Sequence, residues 1–177
     1  MSAALELVAD VGPDGLTHRM VAVAAGVSLS STTYWFASKE ELIEAVFVRI
    51  VDDAMDDVVA RRSAIPRWRP RTAAAELAKL IREDFTTHRK QAILGNALWV
   101  EAQRRPSLRL HARRWVGAYL DLYVDLLRHL GVERELAARA RLLLAAYDGL
   151  LAEQLATDVV LSSRQLIAIL APLLQAP

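Results

Sequence analysis

Gly26 divides two short helical runs, and that division restricts what the chain can fold into more than any other feature. Thr17 offers the hydroxyl of a helix N-cap, and Met20, Val21, Ala24 and Ala25 then give the residues after it an apolar face. Gly26 stops this helix where a tight turn calls for positive φ, and Val27 is expected to plug the turn into the core. Ser28 can cap a second helix from Leu29 to Trp35. Two short helices about a glycine make a helix-turn-helix, whose second helix enters the DNA major groove. That helix would present Ser30, Ser31, Thr32 and Thr33 to bases and phosphates, with Tyr34 and Trp35 against the sugar-phosphate backbone at its end. Any helix pair joined by glycine shares this much. The residues after Phe36 add weight, because Ser38-Lys39-Glu40-Glu41 is a capping box in which Ser38 caps and Glu41 reaches back. A long helix therefore begins just after Phe36, and Lys39 is held at its N-terminus within reach of a phosphate.

The run Ala4-Leu5-Glu6-Leu7-Val8-Ala9-Asp10-Val11-Gly12, then Thr17, then Val21-Ala22-Val23-Ala24-Ala25-Gly26-Val27-Ser28, then Tyr34-Trp35-Phe36-Ala37-Ser38-Lys39-Glu40-Glu41-Leu42, resembles the DNA-binding domain of the TetR (tetracycline repressor) family of bacterial transcriptional regulators. The resemblance is specific over residues 3–50, because many positions agree in order and spacing. Leu29, Ser30 and Trp35 stand where the family more often has Lys, Gly, and His or Tyr, and Met1-Ser2-Ala3 carry none of the basic residues of the family's usual N-terminal arm. The resemblance implies an all-α chain. An N-terminal helix-turn-helix three-helix domain (residues 1–48, helix-turn-helix 17–36) would be followed by a helical-bundle ligand-binding and dimerisation domain (residues 49–177). It implies DNA contacts from Thr17, Arg19, Ser28, Leu29, Ser30, Ser31, Thr32, Thr33, Tyr34, Trp35 and Lys39. It also implies that the long helix from Lys39 to Arg61 sets the separation of two reading heads.

Composition neither helps nor excludes this reading. Residues 1–50 hold three basic side chains (Arg19, Lys39, Arg49) against six acidic ones (Glu6, Asp10, Asp14, Glu40, Glu41, Glu44), a balance of −3. Phosphate contacts then depend on local placement, and a shallow salt dependence of DNA affinity is expected. Cys is absent, which excludes disulfides and thiolate metal sites. Met1 to Val11 has no Lys or Arg, so no secretory signal is expected, and the apolar run Leu142–Ala152 is too short to span a bilayer. A cytoplasmic protein is the expectation.

Along the rest of the chain, Ala3–Val11 should be a helix closed by the turn Gly12-Pro13-Asp14-Gly15, with Leu16 packing beside Phe36. In the long helix, Ile43, Val46, Phe47, Ile50, Ala54 and Val58 form an apolar stripe, and Asp52, Asp53, Asp56 and Asp57 read as a solvated face. Residues 61–71 hold two Pro and five Arg and read as a stiff, solvated connector. Helices are expected over 72–88, 92–105, 107–130 with Ser107 as cap and Gly131 as C-cap, 133–156, and from the capping box Ser162-Ser163-Arg164-Gln165 onward.

The last two helices carry more apolar surface than one face needs, which points to dimerisation through Leu143, Tyr147, Leu151, Leu166, Ile169, Leu170 and Leu173. In the family these helices form a four-helix bundle with their symmetry mates. A twofold dimer would set two recognition helices about 34–36 Å apart on a palindromic operator. The family also holds an inducer pocket in the middle of this domain, and Phe85, His88, Trp99, Trp115, Tyr119, Tyr123, Tyr147 and Asp148 are candidates to line it, with Asp84 pairing with His88. The same aromatics at helical spacing also serve as ordinary core. An unknown inducer, hydrophobic or aromatic, is the expected small-molecule partner. No catalytic constellation, metal-ligand cluster or cofactor motif occurs. The expected function is a dimeric, sequence-specific DNA-binding regulator, a repressor released by inducer, and not an enzyme. A helical interaction module that has lost strong DNA binding, or less favourably a helical-bundle enzyme, is the alternative.

Overall fold

A computed structural model describes residues 1–175. Among them the regular elements are helices: α1 (Ser2–Gly15), α2 (His18–Ala25), α3 (Leu29–Trp35), α4 (Lys39–Ala64), α5 (Ala73–Thr86), α6 (Arg89–Arg104), α7 (Arg109–His129), α8 (Leu136–Thr157) and α9 (Ser163–Leu174). Single 3-10 turns at Ile65–Arg67 and Pro106–Leu108 precede α5 and α7. No described helix is long and apolar enough to cross a membrane.

Two compact units divide the chain. The first is Met1–Asp53 with Ile93–Arg113; the second is Ala54–Ala92 with the chain from Arg114 onward. The first unit thus takes in residues 93–113, which the sequence assigns with the C-terminal domain. Its core holds Leu16, Leu42, Ile43, Val46 and Phe47, all fully buried. The second unit's core draws on α5 (Leu77, Ile81, Phe85), α7 (Tyr119, Tyr123, Leu127), α8 (Leu143, Tyr147, Leu151) and α9 (Leu166, Leu170). The capping box of α9 forms as expected, Ser162 accepting from the Gln165 backbone and Gln165 from that of Ser162.

Several local expectations change. The turn at Gly12 is a kink inside α1 (φ 74°, ψ 166°). Ser107 lies within the 3-10 turn, and α7 starts two residues later, at Arg109. α8 starts at Leu136, after Glu135 adopts a left-handed φ of 54°. The connector is shorter than the Arg-rich run implies. α4 continues to Ala64, Ile65 is buried, and the Trp68 carbonyl accepts from His129 Nε2 at 3.1 Å.

Gly26 behaves as its sequence context requires. Its φ is 67°, its N–H donates to the Val23 carbonyl, and the Val27 N–H donates to the Ala22 carbonyl, closing α2. A Cβ added there would meet no atom within 4 Å. Gly26→Ala therefore costs only the left-handed backbone penalty, about 1–2 kcal/mol, read as a lower melting temperature. An unchanged melt would contradict the turn.

Candidate nucleic-acid interface and buried polar cluster

α3 is fixed at both ends. At its start the Ser28 hydroxyl accepts the Ser31 N–H (3.1 Å) and sits 2.8 Å from the hydroxyls of Ser30 and Ser31. At its end the Phe36 carbonyl is 2.9 Å from His18 Nε2, so that nitrogen carries the proton and ties the close of α3 to the start of α2. Thr17 caps α2 by accepting the Met20 N–H at 3.2 Å. The capping box of α4 forms with a shift: the Glu41 N–H donates to Ser38 Oγ, but the Glu41 carboxylate takes the N–H of Ala37 (2.8 Å) rather than that of Ser38.

This leaves one side of α3 open. Leu29, Ser30, Ser31, Thr33, Tyr34 and Trp35 are exposed; Tyr34 is 81% and Trp35 75% accessible, their rings edge-on at 5.5 Å. Arg19, Thr17 and Ser28 are exposed beside them in the chain. Thr32 is different. It is 6% exposed, and its hydroxyl donates to the Leu29 carbonyl at 2.8 Å, so it packs α3 inward rather than reaching a base. Val27, expected to plug the turn, is 47% exposed, and α2 buries Val21 and Ala22 rather than Ala24 and Ala25. Lys39 is half-buried, and its Nζ donates to the Asp14 carbonyl at the end of α1. Asp14 is held a second time, its carboxylate lying 3.6 Å from Arg104 and 3.5 Å from Arg105. Arg105 also binds the buried carboxylate of Glu101 at 2.8 Å. Lys39 is thus first a strut between α1 and α4.

The second unit holds a polar cluster that is not among the expected sites. Arg61 of α4 donates from Nη2 to both Asp84 carboxylate oxygens (3.2 and 2.9 Å) and from Nη1 to the Tyr147 hydroxyl (2.7 Å). The Tyr147 hydroxyl in turn donates to Asp84 at 2.6 Å. One turn back on α4, the Asp57 carboxylate lies 2.5 Å from Arg61 Nε and accepts the Tyr119 hydroxyl at 2.9 Å. Asp84 is therefore not paired with His88, which is exposed, and Asp57, though its side chain is still 40% exposed, is held by Arg61 and Tyr119. Arg61 is not a connector residue. Burial by itself would lower its pKa, but the surrounding Tyr147, Asp84, Tyr119 and Asp57 outweigh that and hold it well above its ordinary value. Burial raises Tyr119, Tyr123 and Tyr147, with Arg61 opposing. Burial also pushes the Asp148 carboxyl up to about 7.

Of the expected pocket residues, Phe85, Tyr119, Tyr123 and Tyr147 are buried in the second unit, and Trp115 and Asp148 are half-buried there. Trp115 stacks on Tyr119 with centroids 5.8 Å apart. The Phe85 ring is covered by Arg89 at 4.6 Å. Trp99 belongs to the first unit. The seven expected interface residues divide: Leu143, Tyr147, Leu151, Leu166 and Leu170 are buried in the chain's own core, whereas Ile169 is exposed and Leu173 half-buried. The open sides of α8 and α9 carry Leu142, Ala145 and Gly149, and Ala168 and Ile169.

Residues 1–46 match the family described as bacterial regulatory proteins, tetR family, and residues 68–176 match the tetracyclin repressor-like C-terminal domain. The HTH-type transcriptional regulator BetI of Rhizobium meliloti (strain 1021) is 31% identical over 118 residues, 64% of this chain; the match spans 57% of that relative's length. A tetR-family structure from Streptomyces coelicolor is 30% identical, with a TM-score of 0.79 over 99% of this chain and 95% of its own. The multidrug binding protein EbrR, solved with proflavin, is 31% identical, with a TM-score of 0.73 over 97% of this chain and 95% of its own.

Proposed function

From the premise that the chain belongs to the TetR family of bacterial regulatory proteins, we propose that it is a dimeric, cytoplasmic repressor that reads a palindromic operator through α3 and leaves it when a small molecule binds. The observation that carries this is the α3 surface. A helix capped by Ser28 and tied down by His18 leaves hydroxyls and two aromatic rings open on one side. Nothing in the core requires Tyr34 and Trp35 to be exposed there. The neighbouring Arg19 is exposed and forms no ion pair among the described residues, so it is available to a phosphate.

Two further observations support the finer parts. The uncovered apolar side chains on α8 and α9 suit a twofold partner. EbrR has been solved with proflavin, ethidium and malachite green, and the aromatic-lined polar cluster of this chain suits an aromatic ligand of that kind. Ligand binding in the second unit would reposition α4, which begins at the helix-turn-helix. Linkage then requires DNA to weaken ligand binding by the same factor.

Fluorescence anisotropy with the duplex flanking the chain's own coding region tests the DNA reading. Tyr34→Ala with Trp35→Ala should weaken binding by tenfold or more, about 1.4 kcal/mol, without lowering the melting temperature. Unchanged affinity would place the DNA face elsewhere. Lys39→Ala is a poorer probe, because it also removes the strut to Asp14. The salt slope of the wild type should be shallower than that of a protein contacting about 6–10 phosphates.

A further inference from the structure

We infer that α3 selects its operator through thymine C5-methyl groups, taken by the apolar pair of Leu29 and Thr33, and not through hydrogen bonds to base edges. This rests on the reading of α3 as the DNA-reading helix and adds the chemical feature of the DNA that it reads.

α3 reads Leu-Ser-Ser-Thr-Thr-Tyr-Trp and holds no Arg, Lys, Asn, Gln, Asp or Glu. The forked side chains that take guanine or adenine in the major groove, and the carboxylates that accept from cytosine, are therefore absent from it. Hydroxyls remain, but most of their protons are spent inside the protein. Thr32 donates to the Leu29 carbonyl at 2.8 Å. Thr33 donates to the carbonyls of Leu29 and Ser30, each at 3.2 Å. Ser28 Oγ lies 2.8 Å from both Ser30 Oγ and Ser31 Oγ, and those two contacts use two of the three serine protons. A helix whose hydroxyls turn on its own backbone and cap has few donors left for bases.

What the first turn leaves to a partner is apolar. Leu29 is 50% exposed. Thr33 is exposed as well and stands four residues on, so the two side chains are neighbours on one face of the helix. With its hydroxyl bent back to the carbonyls, Thr33 adds its methyl to that face. Thymine alone among the bases of unmodified DNA carries an apolar group in the major groove, its C5-methyl. Packing that methyl against Leu29 and Thr33 removes apolar surface from water on both sides, and a twofold dimer repeats the gain in each half-site. Arg19, exposed on α2, and the rings of Tyr34 and Trp35 are left to the sugar-phosphate backbone, whose contacts carry no sequence information. Discrimination then rests on the methyls, and a half-site is read only where thymines face Leu29 and Thr33.

Fluorescence anisotropy on the full chain tests this, with the duplex flanking its own coding region made once with thymidine and once with deoxyuridine throughout. The exchange deletes every C5-methyl and leaves the hydrogen-bonding edges as they were. The wild type should bind the deoxyuridine duplex at least about tenfold more weakly. Leu29→Ala should lose most of that ratio. Thr33→Ser, which drops a methyl and keeps the hydroxyl, should lower it, whereas Thr33→Val, which keeps the methyl and drops the hydroxyl, should retain it. A thermal melt confirms that each variant is folded. Equal binding of the two duplexes, with Tyr34→Ala and Trp35→Ala combined weakening both, would overturn methyl reading and leave α3 as the DNA-reading helix. If that pair weakens neither, the reading of α3 falls as well. A deoxyuridine penalty of the same size in the wild type, Leu29→Ala and Thr33→Ser would place its origin in the DNA and overturn the inference. If neither duplex binds at low salt, the DNA reading falls and takes the inference with it.

Discussion

Arg61→Ala lowers the stability of the chain by about 3–5 kcal/mol, the cost of breaking a buried ion pair from one side. The side chain of Arg61 is 12% exposed and that of Asp84 15%, so neither charge is well solvated once its partner is gone. The substitution strands more than one group. Asp84 keeps only the Tyr147 hydroxyl, Asp57 keeps only Tyr119, and the cation over the Tyr147 ring is lost. Urea unfolding reads the effect as a lower midpoint at similar slope. Combining Arg61→Met with Asp84→Leu should recover much of the loss, because removing both charges of a buried pair is far less costly than removing one. A loss below about 1 kcal/mol for Arg61→Ala, the range of an exposed pair, would mean that water reaches the cluster freely.

Asp148→Asn acts in the opposite direction and only above acid pH. The Asp148 carboxyl titrates near 3.8 in the unfolded chain and near 7 in the folded one. Between those values the folded protein holds a proton that the unfolded chain has released, so rising pH favours unfolding. The favourable share is intact in acid and lost progressively from about pH 4 to about pH 7. At about pH 8 the amide should therefore be more stable than the wild type, by up to about 4 kcal/mol. At about pH 4 the two should melt together, since Asp148 is then neutral in the native state. Equal stability across the range would show that Asp148 is solvated.

The helix-turn-helix was legible because local rules set it: two N-caps, one left-handed glycine and a capping box, all within residues 17–41. Where burial decides, sequence alone was weaker. Thr32 shares its residue class with Ser30 and Ser31, yet it is buried on the inner side of a helix too short to show a periodic stripe. His18 carried no motif, and its link to Phe36 is visible only once α2 and α3 are placed. The buried polar cluster did leave a trace. Asp57 and Arg61 continue the stripe Ile43–Phe47–Ile50–Ala54–Val58 at helical spacing, and charges on a buried stripe call for partners. Grouping Arg61 with the Arg-rich run after it hid that signal. In α8 and α9 excess apolarity was plain, but which residues face the chain's own core depends on α5, against which both helices pack; Leu143 and Leu166 went there.

A hydroxyl-radical footprint of the full chain on the duplex flanking its own coding region tests the central claim most directly. The account predicts two symmetric protected tracts whose centres lie one helical turn, about 34–36 Å, or a multiple of it apart. Both tracts should fade when Tyr34→Ala and Trp35→Ala are combined. A single unpaired tract, or no protection at low salt on any duplex, would contradict a dimeric operator-reading regulator.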